Sequence, residues 1–281
     1  MAPPHGIDTK DAIAVAAHAN AVFAEFGWQS SAALLERVFA DVTKMFEGNW
    51  PGYRAIDMRY HNYEHTLQAT VCIVDILHGR QRTGDEPRFR QRDAELCVIA
   101  AILHDSGYLK RDDDLTGTGA KYTRVHVERS CDFSRGYLPS LGFSPSEIED
   151  VCTAIGSTGP NVQIADQPFR RPLAHLMACM LVTADYLSQL SASDYIEKLD
   201  YLYAEFLESW DFEATPEADR LFKSADDLKQ KTPAFWSKLV CPMLDADAQG
   251  MHRYLSLTGQ PNHYLQAVEA NIAEIRRRTQ T

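Results

Sequence analysis

The chain has 281 residues, 45% of them hydrophobic and 24% charged, with a formal net charge of −11 at pH 7. This is the composition of an ordinary globular protein, long enough to bury a sizeable core and free of low-complexity tracts and of repeats of 20 to 50 residues. The acidic balance excludes a duplex nucleic-acid binder, whose affinity comes from clustered Lys and Arg releasing counterions, but it leaves room for a small anionic substrate recruited through metal.

Six cysteines, at 72, 97, 131, 152, 179 and 241, stand singly in apolar stretches, without the paired spacing of a zinc knuckle or the density of a disulfide scaffold. They read as reduced core residues. Residues 1–10 carry no basic segment followed by an apolar run, and no stretch approaches the ~18 apolar residues of a membrane span, so the expectation is a cytoplasmic protein with no membrane association.

Apolar residues recur at helical spacing almost throughout, as in Leu34, Leu35, Val38, Phe39, Val42 and Met45, while strict alternation is scarce. The prediction is an all-α, single compact domain. Its helices are expected at 9–26, 30–47, 61–81, 90–106, 124–139, 144–156, 172–190, 193–211, 217–248 with interruptions, and 261–278. Turn chemistry agrees, with Asn49-Trp50-Pro51-Gly52, the segment 82–87 and the segment 156–160 as breaks. The segment Lys110–Thr123, with three successive aspartates and two glycines, reads as a surface loop, either a plain connection or a mobile lid. Arg80, Arg82, Arg88, Arg90 and Arg92, interleaved with acidic residues, read as a solvated turn.

Three elements carry candidate chemistry. Tyr60-His61-Asn62-Tyr63-Glu64-His65 places two imidazoles four residues apart, on one face if both are helical, which suits metal ligation as well as simple packing. His104-Asp105 ends the apolar run Leu96–Leu103; a helix cap accounts for Asp105 but not for His104. Asp185 lies within the apolar segment 181–187, where a carboxylate needs a cation or donors unless it faces a polar stripe. Lys121 and Tyr122, beside the glycine-rich loop, are placed in sequence to line the mouth of such a site.

The order His65, His104-Asp105, Asp185 resembles the signature of the HD-domain metal-dependent phosphohydrolases, over about residues 55 to 190. The resemblance implies an HD helical bundle, with residues 1–54 packed on a metal-binding core at 55–190 and residues 191–281 completing the same domain. Within that superfamily, Tyr60-His61-Asn62 followed by His65 resembles the Tyr-His-Asn-x-x-His motif of class I cyclic nucleotide phosphodiesterases. That implies His61 as general acid and His65 as metal ligand, with Asn62 and Tyr108 facing substrate alongside Lys121.

Departures are visible. Tyr108 stands where those enzymes have a further histidine, and His126 resembles the downstream histidine that other HD proteins place near a second metal. Thr158 occupies a region where multinuclear members have another histidine, and no glutamine–phenylalanine purine clamp is found.

The reading is hydrolysis of a small-molecule phosphoester, such as a nucleotide, by a metal-activated water, with Asp105 bridging if two ions are present. One or two divalent ions are implied (Zn, Mn, Fe or Mg), and a homo-oligomer is compatible. A di-iron oxygenase and a regulatory nucleotide-binding module with a degenerate site are the alternatives.

Overall fold

Residues 6–160, 162–256 and 261–279 are described by a computed structural model; the expectation about residues 1–10 therefore falls partly outside them. The described residues form ten α-helices and no strand: α1 (Ala12–Glu25), α2 (Ala32–Phe46), α3 (Tyr63–Thr83), α4 (Gln91–Leu103), α5 (His126–Tyr137), α6 (Pro145–Gly156), α7 (Pro172–Leu190), α8 (Tyr195–Phe212), α9 (Ala225–Phe235) and α10 (His263–Thr279). The all-α expectation holds. One apolar core runs through the chain, from Val15 to Ile275.

Three helices form the centre. Residues Leu96–Leu103 of α4 are all fully buried, a helix apolar on every side, which is stable only when other elements surround it. It packs against α3 and α7, which pack against each other. Helix α7 is apolar enough and long enough to cross a membrane by length and composition, contrary to the sequence expectation, and about 72% of that stretch is buried inside the fold. Around this trio lie α1 and α2 on one side, α5 and α6 on another, and α8, α9 and α10 on a third. The central helices thus deliver His65 at the start of α3, His104 at the end of α4 and Asp185 in α7.

Helix boundaries follow local chemistry. Ser144 and Glu147 form a reciprocal capping box at α6, with Pro145 at the first helical position. The segment 217–248 is interrupted, as its sequence suggests. Its α-helix starts at Ala225, and beyond Pro233 it opens into wide turns over Trp236–Val240 and Met243–Asp247, where Pro233 and Pro242 supply no N–H to an α-helical ladder.

Two expectations about charge are corrected. The segment Lys110–Thr123 is fastened from within. Buried Lys110 donates to Asp57 (3.2 Å) and to the Gly117 carbonyl, and buried Lys121 donates to Asp114 and to the Thr116 carbonyl (2.6 Å). Glu208 accepts from the Thr118 hydroxyl at 2.6 Å, and Gly119 N–H reaches Asp57 at 2.9 Å. A buried ammonium must be paired, so Lys121 serves the loop and not a substrate, and the loop is a tied connection rather than a free lid. Its acidic run supplies Asp114, the carboxylate that Lys121 needs.

Arg80 likewise is no solvated turn residue. It is 2% exposed, lies over the Phe89 ring at 5.1 Å, and leaves Nε and Nη1 without a hydrogen-bond partner. An unsatisfied buried guanidinium opposes folding, and an apolar side chain of similar length removes that penalty. The expected outcome for Arg80→Met is an unchanged or higher melting temperature by calorimetry. A fall equivalent to more than about 2 kcal/mol would show that Arg80 is a stabilising cation.

Candidate metal centre

Asn62 sets the geometry of the first histidine pair. Its extended backbone and its side chain, which accepts the His65 N–H at 3.0 Å, make it the cap of α3, and its amide nitrogen donates to the Arg59 carbonyl at 3.0 Å. Both ends of the amide are therefore engaged in the turn, a structural job in place of the expected contact with substrate. The helix starts after His61. The two imidazoles do not share a helix face; they meet edge to face with centroids 5.7 Å apart because the capped turn folds His61 back.

His65, His104, Asp105 and Asp185 converge. His65 Nε2 lies 3.2 Å from Asp105 Oδ2 and 3.3 Å from Asp185 Oδ1, and His104 Nε2 lies 3.3 Å and 3.6 Å from the same two oxygens. The ligand atoms of His65, His104 and Asp185 all fall within 4.8 Å of one another. His104 Nδ1–H donates to the Ala101 carbonyl at 2.7 Å, which fixes the tautomer and turns the Nε2 lone pair inward.

The residues fit a divalent cation by what they lack. His104 Nε2 and Asp105 Oδ2 are buried and have no hydrogen-bond partner, an expensive state unless something else satisfies them. Two imidazole nitrogens and two carboxylates form a mixed donor set suited to zinc, manganese or iron.

His126 stands to one side. Its Nδ1–H donates to the Thr123 carbonyl at 2.7 Å, and its Nε2 is 3.8 Å from Asp105 Oδ1, the oxygen opposite the one that faces His65 and His104. Burial, opposed by the charge of Asp105, holds its pKa below that of ordinary imidazole. Tyr108 is 1% exposed and stacks between His126 (4.4 Å between centroids) and His61 (4.9 Å). Both of its faces are covered, so it acts first as a spacer between two imidazoles. Gly107 beside it admits no side chain, since a Cβ there would sit 1.9 Å from the His126 carbonyl oxygen. Thr158 donates to the Ile155 carbonyl at 2.8 Å, at the end of α6.

Two residues of the site were not anticipated. Glu205, buried in α8, accepts from His61 Nδ1–H at 2.7 Å and from the backbone N–H groups of Arg59 (3.0 Å) and Tyr60 (2.7 Å). Gln189 donates to Asp185 Oδ1 and accepts from the Tyr60 hydroxyl at 2.8 Å. A signal existed for Glu205, which recurs at helical spacing with Tyr195, Lys198, Leu199 and Leu202, on the inward stripe of α8.

The charges explain the titration. Burial alone would lower the His61 pKa, but the hydrogen bond and charge of Glu205, with Asp105 and Asp185 behind, raise it above the ordinary imidazole range. For His104 burial is likewise outweighed, by the charge of Asp105 and the contact with Asp185, and the pKa is pushed up to about 9 from 6.5. Asp105 and Asp185 are held low: burial opposes ionisation, and the imidazoles of His104 and His65 overcome it.

A raised folded-state pKa adds stability that is complete below the unfolded value and lost as pH passes the folded one. Chelator-treated protein is therefore expected to lose melting temperature between about pH 6.5 and 9, as His104 gives up its proton. His104→Gln should flatten that slope, and a melting temperature that rises across the same window would contradict the assignment.

Residues 116–278, from the middle of the tied loop to the last turn of α10, match a family described as Npun_R2479-like. The matched segment supplies His126, Asp185, Gln189 and Glu205 but neither His65 nor the His104-Asp105 doublet. No curated protein matches the chain.

Proposed function

The chain belongs to the Npun_R2479-like family, which matches more than half of its length, and we propose that it is a metal-dependent hydrolase of a small phosphoester, an HD-type phosphohydrolase. One observation carries this reading: four unsatisfied or charge-crowded ligand groups converge on one buried point, beside a histidine that a buried glutamate holds from behind. The resemblance of Tyr60-His61-Asn62-x-x-His65, His104-Asp105 and Asp185 to the HD and phosphodiesterase motifs points the same way.

In this reading His65, His104, Asp105 and Asp185 hold the ion. A bound divalent cation supplies Lewis-acid activation of a water and neutralises charge on the phosphoryl oxygens. Asp105 faces two ways, Oδ2 toward His65 and His104 and Oδ1 toward His126, which suits it to a site with one ion or two.

His61 supplies the proton that the leaving oxygen needs. Its Nδ1–H is committed to Glu205, so Nε2 is the atom presented to substrate, and the hydrogen bond and charge of Glu205 raise the pKa of the ring, which favours its acid form. Stacking on Tyr108 fixes the plane of the ring. Glu205 is the positioning residue, and its backbone contacts bind the whole turn Arg59–His61 to α8. Substrates of nucleotide size, a cytoplasmic setting and independence of membranes belong to the same reading.

The two other classes are less well supported. An oxidative di-iron centre calls for more histidines, and Thr158 stands in the region where multinuclear members have one. A degenerate regulatory site would be expected to have lost a ligand, and all four groups are in place.

Mn²⁺-loaded protein is expected to hydrolyse bis(4-nitrophenyl) phosphate and an alkyl phosphodiester. No turnover of either would sink the reading. His61→Ala should keep its metal by elemental analysis and slow the alkyl ester by ~10²–10⁴-fold, with a much smaller loss on the nitrophenyl ester, whose leaving group needs little protonation. Glu205→Gln should lower the upper limb of the pH profile, because it removes the charge that raises the His61 pKa. Equal impairment on both esters, or metal loss in His61→Ala, would show that His61 is a ligand and not an acid.

A further inference from the structure

A cavity of about 480 Å³ opens beside Ser106 and Gly107, the residues that follow the His104-Asp105 doublet, and none of the imidazoles or carboxylates of the metal centre lines it. Its walls are aromatic. Trp50 meets Tyr137 edge to face at 5.8 Å, and Tyr53 meets Phe133 edge to face at 5.5 Å. Two cations reach it. Arg111 lies over the Tyr53 ring at 4.6 Å, and Arg129 donates to the Gly107 and Leu109 carbonyls at 2.7 and 2.8 Å, with no protein acceptor at Nη1 among the described residues. Neither arginine has a carboxylate within 4 Å among the described residues, whereas Asp132 on the same cavity is already held by Arg135 at 3.3 Å. The cavity therefore offers aromatic surface and two guanidinium groups outside any ion pair among the described residues, Arg129 also stacking on Tyr122 at 3.6 Å.

Gly136, exposed near the end of α5, lines the same cavity. It is helical, and a glycine there sacrifices about 1 kcal/mol of helix propensity relative to alanine, a loss usually explained by a close neighbour. Here there is none, since a Cβ at Gly136 meets nothing within 4 Å. A larger side chain at Gly136 therefore meets no backbone clash and has the cavity beside it.

We propose that this cavity is a second small-molecule site, separate from the metal centre, and that it takes a planar aromatic anion of nucleoside monophosphate size. The volume falls within the range of natural ligand pockets, aromatic walls stack a base without demanding its identity, and the two guanidinium groups that line the cavity suit a phosphate. Arg129 links the site to the turn behind the metal doublet, because the same guanidinium holds the Gly107 carbonyl.

The test uses full-length protein stripped of metal with chelator, so that the metal centre takes no phosphate, and adenosine 5′-monophosphate as the probe in isothermal titration calorimetry. One molecule is expected to bind per chain, with orthophosphate and adenosine each binding at least ~10-fold more weakly, since each lacks half of the recognised chemistry. Gly136→Leu should fill the space and abolish binding without lowering the melting temperature. Arg111→Gln should weaken binding and reduce its salt dependence, while His104→Ala should leave it unchanged. Absence of binding to the wild type, binding untouched by both Gly136→Leu and Arg111→Gln, or binding lost in His104→Ala would each overturn the proposal. The hydrolase reading stands or falls separately, because no metal and no turnover enter these measurements.

Discussion

Asp105 and Asp185 are two carboxylates set among the most apolar helices of the protein, and the arrangement of everything near them answers the cost of that burial. Unpaired, each would be strongly disfavoured in such surroundings. The fold brings two imidazoles against both, and the resulting cluster is balanced only when a positive charge sits among them. A proton on His104 is one solution, which accounts for its raised pKa; a divalent cation is the other, and it satisfies His104 Nε2 and Asp105 Oδ2 at the same time. In the proposed metal centre, binding of an ion would therefore release that proton.

This constraint shows why the centre needs a rigid frame. His65, His104 and Asp185 come from α3, α4 and α7, the three helices that pack against one another at the middle of the core. Their relative positions are set by close packing, which tolerates little displacement. The supporting groups are polar and buried: the Ala101 carbonyl behind His104, Gln189 and Tyr60 behind Asp185, and Glu205 behind His61. Such outer contacts orient ligands as much as the ligands themselves define the site.

Most of the helical architecture was legible because an apolar face repeats at 3.6 residues, and α4 announced itself as buried by its unbroken apolar run Leu96–Leu103. The convergence of His65, His104-Asp105 and Asp185 was legible from charge placed where charge is costly. What sequence periodicity could not show was local cap geometry: His61 and His65 look like a helical pair, yet Asn62 ends the helix between them. Nor could it show partners distant in sequence. Arg80 looks solvated until the surrounding core is seen to enclose it, and Glu205 gains meaning only when α8 lies against the turn that carries His61.

The central claim is that the buried cluster is a metal centre. Crystals of the protein grown with Mn²⁺, measured for anomalous scattering, test it most directly. The account predicts a strong anomalous peak bonded by His65 Nε2, His104 Nε2, Asp105 and Asp185. A cluster with no peak, its carboxylates instead balanced by a protonated His104, or a peak held by other residues, would contradict it.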